Sequence, residues 1–500
     1  MKDLETKMDK FLFVYSAYEN LGIEYLSASL KKKGYVTDLL FFPMLFEDSM
    51  LNIDLLSNIF RKRDKIIDRA DLEGVKAVFF NVPTDYYQYY LEIAGRIKAK
   101  KDIPIIFGGI HPTSIPEKVL KNEVVDMVAV GEGEITIAKL ADYLTGKRDT
   151  VPEGIWYKKD GKIVRNGVCE PLLDLNELPL PDKRLFYNKA KYLSETYTIF
   201  TSRGCPYNCS YCINNIWYSK DVHSDMKRVR RRSVEDVIRE LEWAKKEFDI
   251  SSVMFEDDVF YLSDSWHWEF VRKYKKRIDL PFVCVMHPKS CQNYEIIESL
   301  RDIGCIQMEI GIQTLNQKVR REMLNRFETN QEINKALKNL HKSNIPFNID
   351  HIAGLPGDTF EYQEKAARVY SKYRPNRVLY FFITNYPATE IEKRSKELGE
   401  TDDISIEKMH MGLGETDETT GSVSKEKIKR LEQLRVLFGW LPYLSESVVR
   451  GLIKTKTYRF LPDTRILTKI LPSILATIFG KEPRGKVILK KYMIEMFNFL

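Results

Sequence analysis

The stretch "TSRGCPYNCSYC" (residues 201–212) gathers Cys205, Cys209 and Cys212 within eight residues, three of the seven cysteines in a chain of 500. Pro206, Asn208 and Ser210 interrupt the thiols, which is loop chemistry and not that of a core strand. A Cys-x-x-x-Cys-x-x-Cys loop at a strand end can fold three thiolates round one metal cluster, and thiolate is the soft ligand that iron–sulfur clusters take. Three ligands on a four-iron cluster leave one iron open. A reactive metal centre needs such a position and a closed structural site avoids it, a contrast that zinc also shows. Structural zinc would want a fourth Cys or His close by, and the nearest histidine, His223, stands at a spacing unlike common zinc modules. Plain buried cysteine is the remaining alternative.

Such a loop needs strands to carry it. "TYTIFT" (196–201) reads as the strand before it, and "SVEDVIRELEWAKKEF" (233–248) as a helix with Ser233 at its N-cap. Strands follow at 250–260, 280–287, 305–314, 347–359 and 377–389, each next to a helical segment. Six βα units predict an open, partial form of the eightfold barrel, with its site at the strand C-terminal ends. Glu256, Asp257 and Asp258 close the second of these strands, with helix capping as the alternative role of Asp258. In "MEIGI", Glu309 alternates with apolar neighbours and is predicted to point inward, where a carboxylate is costly unless it binds something. "GLPGD" (354–358) suits close backbone approach to a ligand, with a plain Pro-Gly turn as its alternative.

Residues 10–145 show a different pattern. Apolar runs at 10–16, 37–42, 77–83, 103–109 and 127–134 alternate with helical periods, as in a doubly wound parallel sheet. These sheets bind ligands in the loops beyond their strand carboxyl ends. Here those loops are "SAYENLG" (16–22), "NVPTDYY" (81–87), "GGIHPTS" (108–114) and "GEGEIT" (131–136). Paired glycines there permit close approach to a bulky or phosphorylated ligand.

"LGIEYLSASLKKKGY", "GGIHPTSIPEKVL" and "VDMVAVGEGEITIAKL" resemble the cobalamin-binding domain that precedes many radical S-adenosylmethionine catalytic domains. "CPYNCSYC", with Tyr211 before its last cysteine, is similar to the superfamily's cluster motif. The resemblance implies a flavodoxin-like cobalamin domain, a (βα)6 barrel with a 4Fe-4S cluster on Cys205, Cys209 and Cys212, and S-adenosylmethionine chelated at the open iron. It implies S-adenosylmethionine contacts at Tyr211, Glu256, Asp257, Glu309, Gln313, Gly354 and Pro356. For cobalamin it implies Asn20, Leu21 and Gly22; Asn81, Pro83 and Thr84; Gly108, Gly109, His111 and Pro112; and Gly131, Glu132 and Gly133. One departure is plain: no Asp-x-His-x-x-Gly motif occurs, so resemblance to the radical members implies a cobalt lower face without a protein nitrogen, the alternative being a domain that has lost cobalamin.

The length predicts two or three domains, set here at 1–148 (cobalamin-binding), 149–194 (a linker with a short hairpin), 195–400 (the barrel) and 401–500 (a mostly helical tail). The net charge of +7, from 78 basic and 71 acidic residues, is too mild to suggest nucleic acid. The first residues mix charges and offer no secretory signal, and an odd cysteine count fits a reducing compartment, so a cytoplasmic chain is expected. "ILPSILATIF" (470–479) is too short to cross a bilayer. "KRVRRRS" (227–233) reads as structural, and "TDDISIEKMHMGLGETDET" (401–419) as a loop. The tail is expected to pack on the barrel, the alternative being a surface for a greasy substrate or peripheral membrane contact.

The sequence thus predicts a cobalamin-dependent radical enzyme that methylates an unactivated carbon of a small or lipid-like molecule. Its electrons would come from a flavodoxin or ferredoxin. Two other outcomes compete: a radical cyclisation, rearrangement or oxidation, and a corrinoid carrier or sensor with a non-catalytic cluster.

Overall fold

The computed structural model describes residues 9–47, 54–219, 222, 226–413, 425–462, 464, 466–472, 474–475 and 483–497. His223, half of 470–479 (473 and 476–479) and residues 414–419 lie outside them.

Strand β1 (Lys10–Ser16) buries four residues in a row, Phe11 to Val14, because helices cover both of its faces. It is flanked by β2 (Val36–Phe42) and β3 (Val75–Asn81), followed outward by β4 (Ile105–Gly108) and β5 (Met127–Ala129), all parallel. The order 2-1-3-4-5 is flavodoxin-like, and it reverses beside β1, where such sheets open a crevice. Tyr90, Ile93 and Ile97 of helix Tyr87–Lys100 pack on one face of the sheet. Ile23 and Leu30 of helix Leu21–Lys32 pack on the other, with Ile137 and Leu140 of helix Glu134–Leu144. Two further strands, β6 (Ile155–Lys159) and β7 (Lys162–Val164), join antiparallel beyond β5, so the hairpin read as part of a linker extends the sheet.

The crossing to the second half is held by Lys183. Its fully buried ammonium pairs with Glu19 at 3.0 Å and Glu24 at 2.9 Å, and donates to Thr198 O at 2.8 Å. Burial works against this charge, but the two carboxylates more than offset it and hold the Lys183 pKa above its ordinary value.

Thr198 belongs to β8 (Thr196–Ile199), the first barrel strand. The small antiparallel pair β9 (Ser202–Arg203) and β10 (Arg230–Arg231) follows. Then come β11 (Ser252–Phe255), β12 (Phe282–Met286), β13 (Cys305–Gln313), β14 (Phe347–Ala353) and β15 (Arg377–Phe382), forming with β8 one open parallel sheet of six in chain order. Ser233 Oγ accepts from Asp236 N at 3.2 Å and starts helix Val234–Glu247, and a Thr329/Glu332 capping box starts helix Asn330–Ser343. Helix Lys425–Trp440 buries Leu434, Leu437 and Phe438 in the barrel's outer core. The stretch expected as a loop after residue 400 holds helix Asp403–His410, begun by Asp402 accepting from Ser405 N at 2.7 Å; that Asp cap had gone unread. Among the described residues no helix is long and apolar enough to cross a membrane.

Candidate functional site

The cysteine loop leaves β8 through a strained turn. Gly204 sits at φ +89°, where a Cβ would strike Arg228 O and the Tyr218 hydroxyl. Asp257 fixes the strand end before it: its two oxygens accept from Thr201 N at 3.0 Å each, from Thr201 Oγ1 at 2.8 Å and from Ser202 Oγ at 2.5 Å. Within the loop, Tyr207 stacks on His287, and Asn215 Nδ2 donates to Cys209 O at 2.6 Å. Arg228 donates to Tyr207 O at 3.1 Å. Cys209 is buried, and Cys205 and Cys212 are half-buried. Burial pushes the Cys205 thiol up to about 11 and the Cys212 thiol up to about 12, and Asp258 and Cys209 raise both further. Thiols so placed become ligands when a cationic cluster offsets their charge. Among the described residues no three His, Cys, Asp or Glu side chains converge on a single ion. Ligands to three separate irons do not share one point.

Tyr211 and Arg326 extend the same frame. The Arg326 guanidinium, 6% exposed, donates to Tyr211 Oη at 3.3 Å and Gly311 O at 2.8 Å and pairs with Glu328 at 2.7 Å. Neither Arg326 nor His287 was expected at the site. His287 ends a barrel strand, the criterion that had flagged Glu256, whereas Arg326 lies in a loop without any sequence signal.

The acids after β11 divide three ways. Glu256 is exposed and faces the interdomain cavity, while its oxygen lies 2.6 Å from Arg484. Asp257 is 2% exposed and fully engaged with Thr201 and Ser202, so it is not brought to a ligand-facing surface: successive residues leave a strand end in opposite directions. Asp258 caps no helix, because the next one begins at Asp264 behind Ser263. It accepts instead from Asn214 Nδ2 at 2.6 Å and faces the cavity, and burial, with Asp257 beside it, pushes its carboxyl up to about 6.

Glu309 is half-buried inside the barrel, 3.3 Å from Arg484. Gln313 is buried at the end of β13 with φ +69°. Gly354 at φ +73° and Pro356 lie in a turn closed by Asp358 N donating to Leu355 O at 3.0 Å. Neither Gln313, Gly354 nor Pro356 lines the interdomain cavity.

That cavity, about 520 Å³, lies between the crest loops of the first sheet and the cysteine loop. Asn20, Leu21 and Gly22 line it with Asn81 and Pro83, and so do Gly108 and Gly109, and Gly131, Glu132 and Gly133. Facing them are Ser202, Arg203, Gly204, Asn214, Trp217 and Tyr218. The floor is low because it lacks side chains. Gly109 has φ +95°, and a Cβ there would collide with Asn81 Oδ1 and come within 3.0 Å of Val82 N. At Gly22 it would lie 3.2 Å from Asn20 Oδ1. A cradle of glycine peptide and apolar wall fits a broad, flat ligand.

Thr84, His111 and Pro112 do not line this space. His111 is fully buried, its Nδ1 3.1 Å from Thr84 Oγ1 and its ring 4.4 Å from that of Tyr87, because the short helix Ile110–Ser114 turns it into the domain. Burial, with His410 adding to it, pushes its pKa down to about 3. Glu132 faces the cavity but is engaged, pairing with Arg203 at 3.3 Å and with Arg230. Arg203 also pairs with Glu134. The basic run joins the halves through Arg230, which holds a crest loop, whereas Arg232 pairs within the barrel half, with Asp236 and Glu240 at 2.6 Å each.

Comparison with known proteins gives two family matches. The radical SAM superfamily matches residues 199–369, and the B12 binding domain matches residues 13–141. An uncharacterized methyltransferase of Pyrococcus horikoshii is 26% identical over 378 residues, covering 74% of this chain and 77% of that protein. The anaerobic magnesium-protoporphyrin IX monomethyl ester cyclase of Rubrivivax gelatinosus is 25% identical over 416 residues, covering 78% of this chain and 70% of its own. Among solved structures, the radical S-adenosylmethionine methyltransferase TsrM of Kitasatospora setae, with cobalamin and a 4Fe-4S cluster bound, superposes with a TM-score of 0.63. That match is 15% identical and covers 91% of this chain and 99% of the other, a likeness of fold.

Proposed function

We propose, for a chain that belongs to the radical SAM superfamily and carries a B12-binding domain ahead of its barrel, cobalamin-dependent methyl transfer to a carbon of a small-molecule substrate. The observation that carries this reading is the shared cavity: the residues on either side of the three cysteines, Ser202 to Gly204 and Ile213 to Asn214, line the same space as the glycine crest loops. Cys205, Cys209 and Cys212 would hold three irons of a 4Fe-4S cluster. Glu256 and Glu309 would face the amino group of S-adenosylmethionine at the fourth iron, with Gln313, Gly354 and Pro356 on the adenosine side. Gly22, Gly109 and Gly133 would lie under the corrin. When bound, these groups supply an electron that cleaves S-adenosylmethionine to a 5′-deoxyadenosyl radical, and a methyl group for the substrate carbon.

The chain's own residues do the positioning. Asp257 locks the strand end from which the cysteine loop departs, and Arg326 ties Tyr211 to β13 through Gly311. Arg203 and Arg230 keep the crest loop of Glu132 against the barrel, which fixes the distance between the two cofactor positions. Trp217 and Tyr218 wall the cavity on the barrel side.

Anaerobic reconstitution with iron, sulfide and cobalamin, then incubation with dithionite and S-adenosylmethionine, tests the reading. It expects both 5′-deoxyadenosine and S-adenosylhomocysteine. An intact cluster that yields no 5′-deoxyadenosine would overturn it. The similarity to a cyclase favours a second reading, in which 5′-deoxyadenosine forms without S-adenosylhomocysteine. A flavodoxin or ferredoxin is the electron donor we propose for the cell.

A further inference from the structure

The C-terminal helix Pro483–Phe497 is built on the first domain but reaches into the second. Tyr492 packs on Leu45 and Phe46, and its Oη accepts from Phe46 N at 3.3 Å. Lys62 pairs with Glu495 at 3.3 Å, Lys491 stands 4.9 Å over the Tyr18 ring, and Lys490 pairs with Glu195. These anchors hold the body of the helix. Its first turn lies inside the barrel, where Arg484 places Nη2 2.6 Å from Glu256, Nη1 3.3 Å from Glu309 and Nε 2.9 Å from Met254 Sδ. One guanidinium therefore spans two carboxylates from β11 and β13, with β12 between them.

The helix itself asks for no cation there. The first turn of a helix is its positive end, so Arg484 sits where the backbone disfavours it, and the carboxylates are what hold it. Asp350 on β14 adds to the demand: burial, with Glu309 beside it, raises its pKa well above the ordinary range, while Arg484 opposes the rise. Both ion pairs are partly open to water, with side-chain exposures of 39% for Arg484, 38% for Glu256 and 24% for Glu309. Pairs so exposed exchange readily.

We propose that Arg484 is an internal stand-in for the ammonium group of S-adenosylmethionine, holding Glu256 and Glu309 until the co-substrate displaces it. The proposal rests on the reading of these two carboxylates given above. It makes the C-terminal helix an intramolecular competitor at the co-substrate position: entry of the ligand releases the first turn, and its departure lets Arg484 return, so the two acids are never left facing each other without a cation.

The test is binding of S-adenosylhomocysteine, which keeps the amino and carboxylate groups but is not cleaved. Equilibrium dialysis would use the full-length, anaerobically reconstituted protein. Arg484→Ala is expected to tighten binding about two- to fivefold, the range for a partly exposed ion pair, and Arg484→Lys to fall between it and the wild type. In the wild type the ligand is also expected to speed trypsin cleavage after Lys486, whereas Arg484→Ala is cleaved fast with or without it. Unchanged or weaker binding by Arg484→Ala would show that Arg484 does not compete, and would overturn the proposal. Should Glu256→Gln and Glu309→Gln bind as tightly as the wild type, the carboxylates do not meet the amino group, and the underlying reading falls with the proposal. Melting temperatures of all variants show whether each is folded.

Discussion

Tyr207, between the first two cysteines of the loop, lies flat on His287 at the end of β12, with ring centroids 3.7 Å apart and planes 14° apart. The stack ties a loop with no regular structure to the rigid barrel wall. Tyr207→Ala is expected to speed chelator-driven iron loss from the reconstituted protein by about two- to twelvefold, the equivalent of the ~0.5–1.5 kcal/mol typical of aromatic pairs. Tyr207→Phe should leave that rate unchanged. Absorbance of a ferrous-iron chelator over time gives both.

Two groups of cysteines should separate cleanly. Cys205→Ala, Cys209→Ala and Cys212→Ala are each expected to lose bound iron. Cys284→Ala, Cys291→Ala and Cys305→Ala should keep it, since those thiols are buried in the barrel wall and Cys284 Sγ lies 4.0 Å from Cys305 Sγ across β12 and β13. Iron and sulfide assays on each variant decide it, and iron loss from the second group would point to another cluster.

Removing the Lys183 ammonium leaves Glu19 and Glu24 buried together. Lys183→Met is expected to destabilise the protein by about 3–5 kcal/mol, the usual effect of stranding a buried charge. The midpoint of denaturant unfolding measures this, and a double variant that also carries Glu24→Gln should recover part of the loss.

His351 sets an acid limit. Its Nε2 is 3.0 Å from Gln363 Oε1 and its Nδ1 3.0 Å from Tyr370 Oη, and its ring stacks on Phe438 of the tail at 5.0 Å. Burial pushes its pKa down to about 4 from 6.5. The folded form thus binds its proton more weakly than the unfolded chain, so the stability is complete above pH 6.5 and drains away as pH falls toward 4. Unfolding midpoints measured across this window should drop, and His351→Asn should drop less steeply.

Gly109→Ala is expected to abolish cobalamin retention and to destabilise the first domain by about 1–3 kcal/mol, because its backbone conformation admits only glycine. Gly133→Ala should cost the fold little, since among protein atoms the added methyl meets only the flexible tip of Leu26, at 2.9 Å. Visible absorbance of desalted, cobalamin-loaded protein compares them.

Much of this site could be read in the chain, for identifiable reasons. Strands covered on both faces give continuous apolar runs, so β1 and its neighbours were plain. The cysteine loop was plain because its ligands are local. Asp257 and Glu256 were not separable, since only the strand's pleat decides which of two adjacent acids is buried. His111 was misplaced because glycines in a crest loop do not reveal which way the next side chain turns. Arg484 was out of reach altogether: it meets Glu256 across 228 positions of chain, and only the folded tail brings them together.

The β6–β7 hairpin has a colloidal consequence. A parallel sheet that ended at β5 would present a row of unpaired peptide groups to any passing strand. Instead the outermost strand is three residues long, with exposed Lys158, Lys159 and Lys162 round its turn. Short, cationic and sharply turned, that border resists the addition of a strand from a neighbouring copy, and it guards the chain against self-association while the rest of the sheet is being assembled.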